Sequence, residues 1–380
     1  MEKKKIAIVI GTRPEAIKMA PLVKTLAKSN HFTPIVVATA QHREMLDQVL
    51  QIFNIEPDYD LNVMRPSQTL PQLTARLVTG IEEVFQQCKP VASLVQGDTT
   101  SVLAASIVSF YNRIPIGHIE AGLRTRDMQN PFPEEMNRVM TGRLTRWHFA
   151  PTQSSRQNLL DEGISSDTVF MTGNTVIDAL FDARHHPDKI PFQRHGNHKL
   201  ILVTMHRREN FGEPLNRVCA AILSLLKLYP TLNVLFPVHP NPSVSGPVRA
   251  LLGQHPRITL SDPLDYLAFI AAMEAADLIL SDSGGVQEEA PALGKPVLVL
   301  REETERPEAI AFGVAELVGT DTARIVNGVT KLLNNQTAYR DMARGGSPYG
   351  DGKAAMRIVS ILEKAFLPES IHTFATVSVD

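Results

Sequence analysis

Short apolar runs of strand length alternate with amphipathic stretches of helical period along nearly the whole chain, and the alternation breaks once before it starts again. Strands that read as continuous apolar runs are buried on both faces, which requires a parallel sheet covered by helices above and below. In the first half the pattern predicts strands at Ile6–Ile10, Pro34–Thr39, Ser93–Gln96, Ile116–Glu120 and His148–Ala150. A helix is expected to begin at Pro14, and another to cover Leu70–Gln87, where Leu73, Leu77, Ile81 and Val84 recur at helical spacing. Asp98-Thr99-Thr100 would cap a third helix running through Tyr111. Between Ala183 and His198 lies a polar stretch with Pro187, Pro191 and His185, His186 and His195. A second series follows, at Lys199–Thr204, Val234–Pro237, Ile258–Leu260, Leu278–Leu280, Val297–Leu300 and Glu316–Val318.

The chain has 380 residues, more than one hydrophobic core usually supports. The expected fold class is therefore α/β, with two Rossmann-like doubly wound domains facing a central cleft. Residues 1–172 form the first and 173–352 the second; the helix at 353–366 packs back on the first, and 367–380 form a tail. Lys+Arg 38 against Asp+Glu 40 gives no basic surface for nucleic acid or anionic membranes. Cys88 and Cys219 stand far apart, which excludes a disulfide framework and a cysteine-built metal centre. The first apolar run is too short for a signal-peptide core, and no apolar stretch approaches membrane length, so a cytoplasmic protein without a membrane partner is expected.

The segment Asp282-Ser283-Gly284-Gly285 to Pro296 lies between two apolar runs and reads as strand, glycine turn, helix, strand. Backbone amides at Ser283, Gly284 and Gly285, with the positive end of the helix dipole, suit a phosphate or diphosphate. Glu289, one turn in, would accept hydrogen bonds from ribose hydroxyls. The plainer alternative is that the glycines only make a tight connection.

In the first half, polar residues gather directly after strands, where open sheets bind ligands. They lie in Gly11-Thr12-Arg13-Pro14-Glu15-Ala16-Ile17-Lys18, Gln41-His42-Arg43-Glu44, Gln96-Gly97-Asp98, His118-Ile119-Glu120 and Pro133-Glu134-Glu135; the second half adds His206-Arg207-Arg208-Glu209 and His239-Pro240. Asp98 reads equally as a helix cap, and Glu134 as a charge serving a helix dipole. Glu120 ends an apolar strand and would be buried unless it meets a ligand or a cation. Carboxylates with a histidine, and no Ser-His or Cys-His pattern, point to proton transfer and leaving-group chemistry.

Taken together, these segments, with Thr304-Glu305-Arg306-Pro307-Glu308, resemble the non-hydrolysing bacterial UDP-N-acetylglucosamine 2-epimerases, in family order to about Lys364. The resemblance implies a GT-B-like homodimer that needs no cofactor or metal. It also implies reversible conversion of UDP-N-acetylglucosamine to UDP-N-acetylmannosamine, supplying sugars for cell-surface polysaccharide. By similarity, Arg13, Ser283, Gly284, Gly285 and Glu289 hold UDP. Lys18, Asp98, Glu120, Glu134 and His206 act at the sugar. A second substrate molecule would bind as activator through Gln41, His42, Glu134, Arg207 and His239, although Glu44 and Ser67 stand where strongly regulated members carry glutamine and arginine. A GT-B-type UDP-sugar glycosyltransferase, and a 2-epimerase acting on another acetamido sugar nucleotide, are the alternatives.

Overall fold

The structure is a computed structural model that describes residues 2–39, 43–184 and 198–367. Gln41 and His42, most of the polar connector expected between Ala183 and His198, and the expected tail beyond Leu367 lie outside the described residues. The chain divides into two compact units. One runs to Ala179 and resumes at Gly352, and the other is Leu180–Asp351.

The sheet of the first unit contains β1 (Lys4–Ile10), β2 (Phe32–Ala38), β3 (Tyr59–Asp60), β4 (Ala92–Gln96), β5 (Ile116–Ile119), β6 (Trp147–Ala150) and β7 (Val169–Met171). Their order is β3-β2-β1-β4-β5-β6-β7, with every pairing parallel. The chain winds outward from β1 to β3, then returns beside β1 and winds the other way from β4, so the topological switch lies between β1 and β4. Ile6–Ile10 is almost wholly buried, as its unbroken apolar run requires. The helix Leu70–Cys88 lays Leu73, Leu77, Ile81 and Val84 on the sheet as its period predicts, and each such burial contributes about 1.5–3 kcal/mol.

The sheet of the second unit contains β8 (Lys199–Thr204), β9 (Leu232–Pro237), β10 (Ile258–Ser261), β11 (Leu278–Ser281), β12 (Val297–Val299) and β13 (Ala315–Leu317). The order β10-β9-β8-β11-β12-β13 repeats the same winding, with its switch between β8 and β11. One face of these strands builds a core that includes Phe236, Leu278 and Leu298, and the other face is buried too, at Leu200, Leu202 and Ile279.

The helix Ala354–Phe366 returns to the first unit. Asp178 accepts from the amides of Ala354 and Ala355 at 3.1 and 2.9 Å, and Phe366 packs on Phe32 and Trp147. Edge strands β3 and β7 have no counterpart among the predicted strands. They are only two and three residues long, and Met171 faces outward, so neither leaves an apolar run to read.

Candidate functional site

In the first unit, polar side chains converge on the loops after β1, β4 and β5, at the switch point. Thr12 precedes the helix Arg13–Lys28, and Glu15 in its first turn folds back on the loop. Its Oε2 accepts from the amides of Gly11 and Thr12 at 2.5 and 2.9 Å, and its Oε1 accepts from the Thr99 hydroxyl at 2.6 Å. One carboxyl thereby ties the β1 loop to the β4 loop. Burial pushes its pKa up to about 7, against those hydrogen bonds. Gly11 allows the loops to touch, since a Cβ there would lie 2.6 Å from Ser101 Oγ.

Three residues on from Glu15, Lys18 places Nζ 2.7 Å from both oxygens of Glu120. Glu120 is 6% exposed and also accepts from Gln96 Nε2 and, at 3.3 Å, from Asn174 Nδ2. The cation that its burial demands is present. Its φ of 64° is unusual for a residue with a side chain, and such backbone strain concentrates at functional positions.

Asp98 follows β4 and does not cap the next helix. Thr99 does so, accepting from the Val102 amide at 3.4 Å, so the cap comes from the expected segment and, of the two readings open for Asp98, the cap is the one that fails. Asp98 Oδ2 meets Arg138 Nη1 at 3.3 Å, and the Asp98 carbonyl accepts from Asn137 Nδ2 at 2.9 Å. Burial raises the Asp98 pKa to about 6; Arg138 and Lys18 oppose the rise, and Glu120 and Glu134 add to it. Glu134 opens the helix Glu134–Leu144, half-buried. Beneath the loop, buried His118 meets the Gly97 carbonyl through Nε2 at 2.7 Å, and burial lowers its pKa to about 4, so it stays neutral. Arg13 is the first residue of its helix, half-buried.

The second unit gathers its polar groups after β8 and β11, again at the switch point. Asp282 is fully buried and accepts from the amides of His206 and Arg207 at 3.1 and 3.0 Å, and from Asn210 Nδ2 at 3.0 Å. Its burial is outweighed by these donors and by His206, which together hold the carboxyl below its ordinary range. His206 Nδ1 lies 3.0 Å from Asp282 Oδ1. A proton held there by the carboxylate would leave Nε2 as the acceptor nitrogen of an exposed ring.

Ser283 is the N-cap of the helix Gly284–Ala292, and its side chain makes no cap hydrogen bond. Its own amide donates to Ser281 Oγ at 3.0 Å and so is not free, contrary to expectation. The first-turn amides of Gly284 and Gly285 have no partner within the helix. Both glycines have ordinary negative φ, and a Cβ on Gly285 would meet nothing closer than 3.9 Å. Neither conformation nor packing requires glycine at 285. Arg207 Nη2 would lie 4.0 Å from a Cβ on Gly284, and its guanidinium pairs loosely, at 3.4 Å, with Glu305. Glu289 is buried with Oε1 accepting from Tyr266 Oη at 3.1 Å. His239 ends the β9 turn, its Nδ1 accepting from the Asn241 amide at 3.2 Å.

The first unit thus brings together Lys18, Asp98, Glu120 and Glu134, and the second His206, Arg207 and the Ser283–Gly285 corner. Sequence reasoning assigned no role to Glu15, Arg138, Asn174, Tyr266 or Asp282. Arg138 had a signal, since it lies one turn beyond Glu134; Asn174 follows a strand too short to read.

The sequence model of a family described as UDP-N-acetylglucosamine 2-epimerase matches residues 24–363. Among curated relatives, the UDP-N-acetylglucosamine 2-epimerase of Yersinia pestis is 53% identical over 94% of this chain and 98% of its own. The crystal structure of UDP-GlcNAc 2-epimerase from Neisseria meningitidis bound to UDP-GlcNAc is 49% identical, with a TM-score of 0.84 over 95% of this chain and 100% of that one. MnaA of S. aureus, solved with UDP, is 45% identical, with a TM-score of 0.82 over 95% of this chain and 96% of that one.

Proposed function

Because the chain belongs to the UDP-N-acetylglucosamine 2-epimerase family, we propose that it interconverts UDP-N-acetylglucosamine and UDP-N-acetylmannosamine by eliminating and re-adding UDP. The observation that carries the reading is the pairing of Lys18 with a buried, strained Glu120 beside an Asp98 whose pKa is raised to about 6. A carboxyl raised to about 6 exchanges protons near neutral pH, and the neighbouring carboxylates sit where positive charge can be stabilised.

The C2 hydrogen of the sugar is not adjacent to a carbonyl and is too weakly acidic for direct removal by a carboxylate. If the C1–O bond breaks first, its electron pair leaves with UDP and positive charge builds at C1. The C2 proton then passes to a base, and its bonding pair forms the C1–C2 double bond of a glycal. Return of a UDP oxygen to C1, with a proton delivered to C2 from the opposite face, completes the inversion. In this reading Asp98, Glu120, Glu134 and His206 serve the proton transfers and the cationic centre, and Lys18 holds Glu120. Arg13, Ser283, Gly284, Gly285 and Glu289 hold the nucleotide, with the open first turn of the helix taking diphosphate charge.

The same proposal includes a homodimer, which would cover Phe110, Tyr111 and Met140, all exposed in the first unit. It includes a second nucleotide-sugar molecule acting as activator near Arg207 and His239, since a diphosphate would displace Glu305 from Arg207. A cytoplasmic setting fits two buried free thiols and a nucleotide-sugar substrate. Among the described residues no helix is long and apolar enough to cross a membrane.

The test is to incubate the purified protein with UDP-N-acetylglucosamine alone and follow the anomeric NMR signals. Appearance of UDP-N-acetylmannosamine supports the proposal. Release of UDP with free sugar would indicate a hydrolysing enzyme, and no change until an acceptor is added would indicate a transferase.

A further inference from the structure

The helix Glu134–Leu144 grips the Asp98 loop through side chains one turn beyond Glu134. Asn137 Nδ2 donates to the Asp98 carbonyl, and Arg138 Nη1 reaches the Asp98 carboxylate at 3.3 Å. Arg138 is itself held from behind. Its Nε donates to Glu135 Oε2 at 2.6 Å, and Glu135, 1% exposed, also accepts from the amides of Thr125 and Arg126. Burial alone would raise the Glu135 pKa, but these donors hold it below the ordinary range, so it is a fixed anion. A buried anion on one side of the guanidinium and a half-exposed carboxylate on the other leave Arg138 little freedom to move.

We propose that Arg138, anchored by Glu135, is a positioning residue that holds the Asp98 carboxylate in place and in its charged form. The inference rests on the reading of Asp98 as a proton-transfer group. Among the described residues, the charges that act on Asp98 come from several elements. Lys18 from the helix Arg13–Lys28 and Arg138 favour the anion. Glu15 on that first helix, Glu120 at the end of β5, and Glu134 oppose it. Arg138 is the cation in hydrogen-bond contact with the carboxylate, whereas Lys18 makes its hydrogen bonds to Glu120. Removing Arg138 therefore leaves an acid already raised to about 6 by burial with its strongest counter-charge gone. Whichever way Asp98 moves the proton, the limb of the pH–rate profile that belongs to it must shift to higher pH.

The experiment compares kcat and KM against pH for the full-length wild type, R138Q, R138K and D98N, with thermal unfolding recorded for each. R138Q should move the limb of kcat that belongs to Asp98 upward by about 1–3 pH units, as expected for loss of an opposite charge at contact distance. With Asp98 as the base the shifted limb is the acidic one and kcat at pH 7 falls by about tenfold or more; with Asp98 as the acid it is the basic one and kcat at pH 7 does not fall; KM changes little in both cases. R138K, which keeps the charge but loses the fork between Glu135 and Asp98, should lie between, and it carries the test should R138Q fail to fold. An unshifted limb in R138Q, or in R138K if that is the variant that folds, with D98N inactive overturns the inference and leaves the proposed function standing. A D98N enzyme with near-normal turnover removes Asp98 from the reaction and overturns the inference at its premise.

Discussion

At neutral pH the Glu15 carboxyl stands near its titration midpoint, because burial lifts its pKa from 4.5 to about 7. The folded state therefore holds a proton there that the unfolded chain releases. This contribution to stability is fully present below about pH 4.5 and is lost as pH rises through 7, a swing on the order of a few kcal/mol. Glu15→Gln can keep the amide contacts while removing the ionisation. The thermal midpoint of that variant relative to wild type should rise from pH 5 to about pH 7 and level off above it; a constant difference over that range would show that Glu15 does not titrate there. At this scale the sequence was partly legible. Glu120 announced itself as a charge ending an apolar strand, but Arg138 and Asn174 reach the site from a helix and from the loop after a short edge strand, whose placement only the folded chain defines.

Elements explain what single residues leave open. In Asp98-Thr99-Thr100 each residue is a competent N-cap, and Thr99 takes the position, so propensity could not show that Asp98 is free for other work. Glycines 284 and 285 invited a turn reading, yet the helix they open is regular and roomy. Gly285→Ala should leave the unfolding temperature unchanged or higher, since alanine in a helix gains about 0.5–1 kcal/mol over glycine. Its affinity for UDP, measured by calorimetry, should nonetheless fall about tenfold or more under the proposed function, which puts the diphosphate against this corner; undiminished affinity would return the glycines to a purely structural role. Asp178 caps the helix Ala354–Phe366 from far away in sequence. Asp178→Ala should destabilise the protein by about 2 kcal/mol in denaturant unfolding, while a loss under about 0.5 kcal/mol would mean that the cap contributes little.

Over the whole molecule, the α/β alternation and its restart were enough to predict two parallel, doubly wound sheets, because burial on both faces writes itself into sequence as apolar runs. The division falls at Ala179–Leu180 and Asp351–Gly352, and the return of the chain to the first unit follows a glycine loop with positive φ at Gly345, Gly346, Gly350 and Gly352. Strand ends at the two switch points collect the polar residues, which is why position in the alternation located them before any contact was seen. What the whole assembly is proposed to do is break and remake the C2–H bond of a nucleotide sugar, and solvent records that event. Run in deuterium oxide with UDP-N-acetylglucosamine, the enzyme should yield UDP-N-acetylmannosamine carrying deuterium at C2, read by mass and by loss of the H2 proton signal. Product that retains its original hydrogen at C2 would contradict elimination and re-addition.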